Sequence, residues 1–211
     1  MALTKVTVVG TLKEDLRVRR TASNNGAVFF GDTNSNYVYG SDVDDIISFA
    51  TNGSERARVT NNGITFNGDT AAENALDDYE EGTWTPDVAN RTSAAPAIQV
   101  GKYVKIGSQV SVQCHLNFGA TLTASDNTQL VITGLPFASA NVTNYFTVTS
   151  GVHFNNSFSY GAGDIGNLNG LLGVNGTTIG FHYKDGATMT LLPPTAIGTG
   201  NILFGITYST V

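Results

Sequence analysis

Residues 110–118, VSVQCHLNF, alternate apolar and polar side chains over nine consecutive positions. Because successive side chains of a strand point to opposite faces of a sheet, this pattern predicts a strand with one buried and one solvated face. Residues 202–208 repeat the alternation, and further strands are predicted at 102–106, 130–132, 145–149, 178–183 and 188–192. Turn residues separate these strands and no strand–helix–strand rhythm occurs, so we expect an antiparallel, jelly-roll-like β-sandwich over residues 83–211. The predicted fold class is all-β.

Residues 21–68 hold shorter strand patterns separated by turn sequences such as Asn52-Gly53 and Asn62-Gly63. Their spacing of about 8–10 residues is typical of a β-meander or of a fibrous β-shaft. The predicted strands are 27–30, 37–39, 46–49, 57–59 and 64–66. A sheet of such short strands is marginal in water by itself. We therefore expect a slender β-shaft that needs neighbouring chains, whether its strands pair within one chain or between chains.

A short helix is predicted over residues 69–82, as a collar between the shaft and the sandwich. Thr70 and Glu73 have the spacing of a capping box, and Ala72, Ala75, Leu76 and Tyr79 recur at helical intervals. Five carboxylates lie in or beside this segment: Glu73, Asp77, Asp78, Glu80 and Glu81. No alternating Asp/Asn loop with a distal Glu accompanies them, so a solvated surface or a contact with another chain is favoured over a calcium site.

Residues 1–20 alternate apolar and polar side chains and end in a basic cluster. Two interpretations remain, an N-terminal strand with solvated basic positions and a segment that docks onto a larger assembly. The candidate anchor residues are Val6, Val8, Leu12, Leu16, Arg17, Arg19 and Arg20.

The charge distribution excludes several classes of partner. The chain has a formal net charge of −6, whereas a nucleic-acid-binding protein presents a basic face. Its longest apolar runs are about four residues, far below the ~20 of a membrane span, so no membrane insertion is expected. After Ile106 only Asp126, Asp164, Lys184 and Asp185 are charged. A half-chain solubilised by Asn, Thr, Ser and Gly is common in proteins that work outside cells.

No enzymatic activity, cofactor or metal is expected. The sequence has neither a Gly-x-Ser-x-Gly elbow nor a His-Glu-x-x-His motif. Cys114 falls on the apolar face of its strand, which predicts a buried, inert thiol. The three histidines, His115, His153 and His182, lie far apart without ligand spacing, and His115 and His182 are expected at the surface.

Candidate binding residues lie in polar segments of the second half, where aromatic rings and amides offer flat faces and adaptable hydrogen bonds. They are Asn155, Asn156, Tyr160, His182, Tyr183 and Lys184. Tyr183 also alternates with Ile179 and Phe181, which favours the core as its alternative position. For Trp84 a core plug is favoured over a sugar-stacking site.

Four segments carry a resemblance to a known family: TNGSER at 51–56, ALDDYEEGTWTP at 75–86, GKYVKIG at 101–107 and ITGLPF at 132–137. In this order they resemble C-terminal modules of phage tail-fibre and other virion fibre proteins. The start, MALTKV, looks like the N-termini of such proteins from marine and freshwater tailed phages.

This resemblance implies a homotrimer in the virion, held to other virion proteins by residues 1–20. It implies a distal domain that meets the host, where we expect a surface glycan as the receptor. Many fibres are far longer than this chain. A head fibre or a capsid decoration protein is therefore the alternative, and a short depolymerase is a third, less favoured one.

Overall fold

The computed structural model describes residues 25–31, 35–155, 168–185 and 187–210. The segment 1–20, with all the candidate anchor residues, lies outside these ranges. The chain divides into two compact units, Met1–Asp77 and Asp78–Val211.

The first unit is a five-stranded antiparallel meander, in which each strand pairs with the next one along the chain. All five predicted strands are confirmed, and they pair within one chain. Asn52 and Gly53 take the positive φ values, 51° and 70°, that a two-residue hairpin turn requires. The strands are β1 (Asn25–Phe30), β2 (Asn36–Ser41), β3 (Ile46–Thr51), β4 (Ser54–Thr60) and β5 (Gly63–Phe66).

The prediction of a helix over residues 69–82 is wrong. The structure has one 3-10 turn there, Ala72–Asn74, whose entry is held by the Asp69 carboxylate rather than by Thr70. Leu76 exchanges two backbone hydrogen bonds with Ile64 of β5, and residues after Asp78 enter a sheet. A helix of this length is marginal by itself, so pairing with existing strands prevails over local propensity.

The second unit consists of two antiparallel sheets around one hydrophobic core, a β-sandwich-like fold. One sheet has the order β12-β16-β9-β8-β6, and the other has the order β11-β13-β14-β10-β7, with β15 also pairing with β14. The strands are β6 (Tyr79–Trp84), β7 (Asp87–Val88), β8 (Ile98–Ile106), β9 (Gln109–Phe118), β10 (Val131–Thr133), β11 (Thr147–Val148), β12 (Gly151–Asn155), β13 (Leu168–Leu172), β14 (Ile179–Asp185), β15 (Thr188–Leu191) and β16 (Gly200–Ser209).

The alternation that predicted the sandwich is confirmed in detail. On β9 the five apolar side chains from Val110 to Phe118 are buried, and those of β16 face the same core. Phe181 of β14 meets Phe204 of β16 edge to face, with ring centroids 5.5 Å apart. The two sheets are thus joined by side chains that the period-2 pattern assigns to the interior.

Three of the family-like segments meet at the junction of β6 and β8. Trp84 of β6 is opposite Gly101 of β8, is 6% exposed, and donates its indole N–H to the carbonyl of Gln113 at 3.2 Å. Gly134 follows β10 with φ 93°, and a Cβ there would lie 2.4 Å from the Thr85 carbonyl oxygen. Trp84 therefore plugs the core, as the sequence favoured, and Gly101 and Gly134 leave room for its indole and for the Thr85 carbonyl.

The same junction buries a charged side chain. Lys105 of β8 is 8% exposed, pairs with the Asp78 carboxylate, and lies with its ammonium 5.8 Å from the centroid of the Phe137 ring. Beside it Tyr103 donates to the Glu80 carboxylate, which raises the pKa of the tyrosine hydroxyl, and its ring meets Phe137 edge to face. Residues of the predicted acidic cluster thus act within this chain as hydrogen-bond and ion-pair partners.

Replacing Gly101 by alanine should destabilise the second unit by about 1–3 kcal/mol, the usual range for overpacking a core. The added Cβ would lie 2.4 Å from Trp84 Nε1, so the indole must move. Urea unfolding followed by circular dichroism and by the fluorescence of Trp84, the single tryptophan, measures this change. Gly119→Ala is the matched control, since nothing lies within 4 Å of a Cβ there. Equal midpoints for the two variants would contradict the steric argument.

Candidate functional site

Two surfaces are candidates for function, and the first belongs to the meander. Residues that face each other in antiparallel pairs share a side of the sheet, and one side carries a continuous set of large apolar residues. Six of the eight side chains in this set are between 43% and 56% exposed. We call this set the apolar face, and it comprises Val28, Phe30, Ile47, Phe49, Val59, Ile64, Phe66 and, bridged to Ile64, Leu76.

The opposite side of the meander is mixed: it exposes Phe29, which packs on Tyr37, and it buries small polar residues. Ser48 and Thr65 are 3% exposed, and Arg58 forms an ion pair with Glu55 at 2.6 Å beside them. Among the described residues of this unit Ala50 is the one buried apolar residue, and the main core lies wholly in the second unit. A sheet that buries small polar residues and exposes its apolar ones has a surface suited to a partner.

The second candidate surface is the outer face of the sheet β12-β16-β9-β8-β6. Its side chains stand in rows set by the strand register. One row is His153–Leu203–His115–Val100, and the next is Gly151–Gly205–Gln113–Lys102–Thr83. These residues alternate with core residues along the same strands and point to the opposite face. The alternation that builds the core therefore also builds this surface.

A shallow depression of about 650 Å³ lies across these two rows. Its floor is low because Gly151 and Gly205 sit opposite each other on β12 and β16. Val100, Lys102, Gln113, His115, His153 and Leu203 line it with their side chains. We call this feature the glycine depression. It combines apolar patches with hydrogen-bonding groups, which suits a small polar ligand.

An amide network fixes one wall of the glycine depression. The Asn201 side-chain oxygen lies 2.9 Å from His115 Nε2 and accepts a hydrogen bond from Asn117 at 2.8 Å. Asn201 in turn donates to the Asn155 side-chain oxygen at 2.9 Å. The imidazole is therefore held in place before any ligand arrives.

The structure does not bring the predicted receptor-binding residues together. Asn155 ends β12 of one sheet, whereas His182 and Lys184 point outward from β14 of the other sheet. His182 lies near Gln129, with 3.4 Å between the two side-chain nitrogens. Asn156 and Tyr160 lie outside the described residues.

The assignment of Tyr183 to the receptor surface is wrong. Its side chain is 5% exposed and belongs to the core, because it alternates with His182 and Lys184 on β14 and shares the inner side with Phe181. The alternation of Tyr183 with Ile179 and Phe181 favoured the core as its alternative position, and that alternative is correct.

Sequence reasoning missed the glycine depression. It treated His115 and His153 as isolated, since they are 38 positions apart in the chain. Strand β12 was not predicted, so nothing placed His153 in the same row as His115. The outward set of β9, which holds Gln113 and His115, was visible in the alternation and was the available signal.

The thiol of Cys114 and the candidate metal ligands were the remaining reactive groups of the described ranges. Burial raises the pKa of the Cys114 thiol to about 12, which keeps it protonated and unreactive. Among the described residues no group of three His, Cys, Asp or Glu side chains is arranged to hold a metal ion. No helix in this part of the chain is long and apolar enough to span a membrane.

Comparison of the chain with protein-family models and with curated proteins gave no match.

Alkaline pH should destabilise the second unit. Burial raises the pKa of Cys114 and of Tyr208 to about 12 in the folded chain, while the unfolded groups ionise at their ordinary, lower pKa values. Between these values the unfolded state holds fewer protons, so the free energy of unfolding falls by about 1.4 kcal/mol per pH unit for each group.

Urea unfolding at several pH values from 7 to 11 measures this dependence. Cys114→Ala removes the thiol and keeps an apolar side chain, so the fall between pH 9 and 10 should be shallower in the variant. Identical pH profiles for the two proteins would show that the thiol is not the group responsible.

Proposed function

We propose that this chain is a non-enzymatic, homotrimeric virion fibre of a tailed phage that binds a host-surface glycan. The observation that carries the proposal is the apolar face of the first unit. Phe49 and Phe66, on the same row of the sheet, are 46% and 52% exposed. Side chains of this size are stabilising only when water is removed from them, so the meander needs copies of itself.

Self-association is favoured over a different partner because the apolar face has no charged side chain with which to select one. Identical apolar faces can meet around a symmetry axis without any charge being buried.

The number of chains, three, comes from the family resemblance of residues 51–56, 75–86, 101–107 and 132–137. In this arrangement the meander forms the fibre's shaft, residues 1–20 attach it to the virion, and a jelly-roll-like second unit forms the tip.

The second unit has the surface that a receptor-binding tip requires. The outer face around the glycine depression offers Gln113, His115, Asn117 and Asn201 beside apolar Val100 and Leu203. A shallow site of this kind binds one saccharide weakly, and three sites per fibre raise the apparent affinity by avidity.

Phe49→Asp should break the assembly, because a carboxylate on the apolar face would have to be buried without a partner. Light scattering on the full chain should give three times the 22.2 kDa chain mass for the wild type and a smaller mass for the variant. Phe29→Asp is the matched control. Phe29 is 50% exposed on the opposite side of the same sheet, so this change should leave the mass unchanged. A folded wild-type monomer at all concentrations would overturn the proposal.

Receptor binding is tested by competition. The purified trimer in saturating excess should block adsorption of the virus to its host cells. Unchanged adsorption would reject the attachment role and favour the alternative, a head fibre or capsid decoration protein. Electron microscopy of virions labelled with antibody to this chain then distinguishes head from tail-tip location.

A further inference from the structure

We propose that the glycine depression binds a saccharide that carries a carboxylate, such as a hexuronate unit of a host-surface glycan. This inference rests on the proposed function, and it adds the place and the chemical class of the ligand. Three features support it: the shape of the depression, the sign of its charges and the pairing of apolar with polar walls.

The shape comes from two facing glycines. Gly151, on the edge strand β12, and Gly205, on its neighbour β16, lack side chains on a face where the other outward positions of these two rows carry one. His153 and His115 stand on strands that are separated by β16, which places them about 10 Å apart. The row of Gln113 and Lys102 is two residues, or about 7 Å, further along the strands. These dimensions accommodate a short saccharide lying flat on the sheet.

The formal charge inside the depression is positive, because Lys102 lines it and no carboxylate does. The imidazoles of His115 and His153 also line it and add hydrogen-bonding nitrogens. In the described part of the second unit Arg91 and Lys105 form ion pairs with Asp87 and Asp78, whereas none is formed by Lys102. The nearest carboxylate on this face is Glu81, one row beyond Lys102, where it accepts a hydrogen bond from Tyr79. Although the whole chain has a net charge of −6, this site presents a cation and therefore favours an anionic group.

The walls favour a sugar over a small inorganic anion. Val100 and Leu203 are 48% and 37% exposed, and they lie in the same row as the His115 and His153 imidazoles. Such side chains contact the C–H faces of a sugar ring, while the Gln113 amide can donate to and accept from hydroxyl groups. An inorganic ion would leave these apolar side chains in water. A hexuronate matches both parts, since it joins a ring with C–H faces to one carboxylate.

The probe pair is a hexuronate oligosaccharide, trigalacturonate in the first instance, and its methyl ester, which keeps the ring and removes the charge. Titration of the full-length protein by calorimetry should show that esterification weakens binding at least tenfold. Lys102→Gln should weaken binding of the acid about tenfold and leave the ester unchanged. Arg56→Gln is the control, because it removes an exposed cation of β4 that does not line the depression and should change neither affinity.

A second variant tests the place of binding. Nothing lies within 4 Å of a Cβ on Gly151, so a side chain added there starts in open space, and we expect Gly151→Val to fill the floor of the depression. This variant should keep the melting temperature and the solution mass of the wild type and lose at least tenfold in affinity for the acid. Equal affinity in Gly151→Val, or no binding of any member of a hexuronate panel to the wild type, would overturn the proposal. A fall in solution mass would also overturn it, since the depression would then be an interface between copies.

Adsorption competition separates this inference from the proposed function. If the wild type blocks virus adsorption and Gly151→Val blocks it equally well, the glycine depression is not the receptor site, although the attachment role stands. If the wild type does not block adsorption, the attachment role itself fails.

Discussion

The second unit depends on the contact between Trp84 and Gly101. The missing side chain of Gly101 leaves space for the indole, whose N–H then satisfies the carbonyl of Gln113 on the next strand. This contact ties the first strand of the unit, β6, to β8 and β9 at once. Gly82 has the same relation to the Tyr103 ring two pairs along, so two aromatic side chains lie over two glycines in one ladder. Packing therefore accounts for Gly82 and Trp84 in segment 75–86 and for Gly101 and Tyr103 in segment 101–107.

The same alternating strand pattern has its apolar side buried in the second unit and exposed in the first unit. In the second unit two sheets face each other, and the apolar sides of β9 and β16 are covered within the chain. In the first unit a single sheet has no second layer among the described residues, so its apolar side is left to solvent in the isolated chain. The pattern is the same because period-2 alternation records only that one side is to be buried. Whether the chain itself covers that side depends on whether it forms a second sheet that packs against the first.

The candidate ligand surface lies on the reverse of the core. His115 and Gln113 alternate with Cys114 on β9, so the buried thiol and the wall of the glycine depression are set by one strand. A core strand is a rigid support, and the Asn201 network further restricts the imidazole. The proposed site thus differs from the loop residues that composition alone favoured, because register across the four strands β12, β16, β9 and β8 creates it.

The sequence by itself determined the all-β class, most of the strands and the inward set of β9 and β16, because alternation is a local property that burial enforces. It also indicated that the segment with Phe49 and Phe66 lacks enough partners in its own strands. Tertiary structure decided which strands distant in the sequence pair with each other, and local patterns do not contain that information. The residues after Asp78 became a strand because β8 offered an edge, and His153 lies in the same row as His115 because β12 and β9 both pair with β16. Helix propensity and sequence distance carry no information on such pairings, which depend on which edges remain free once the core has formed.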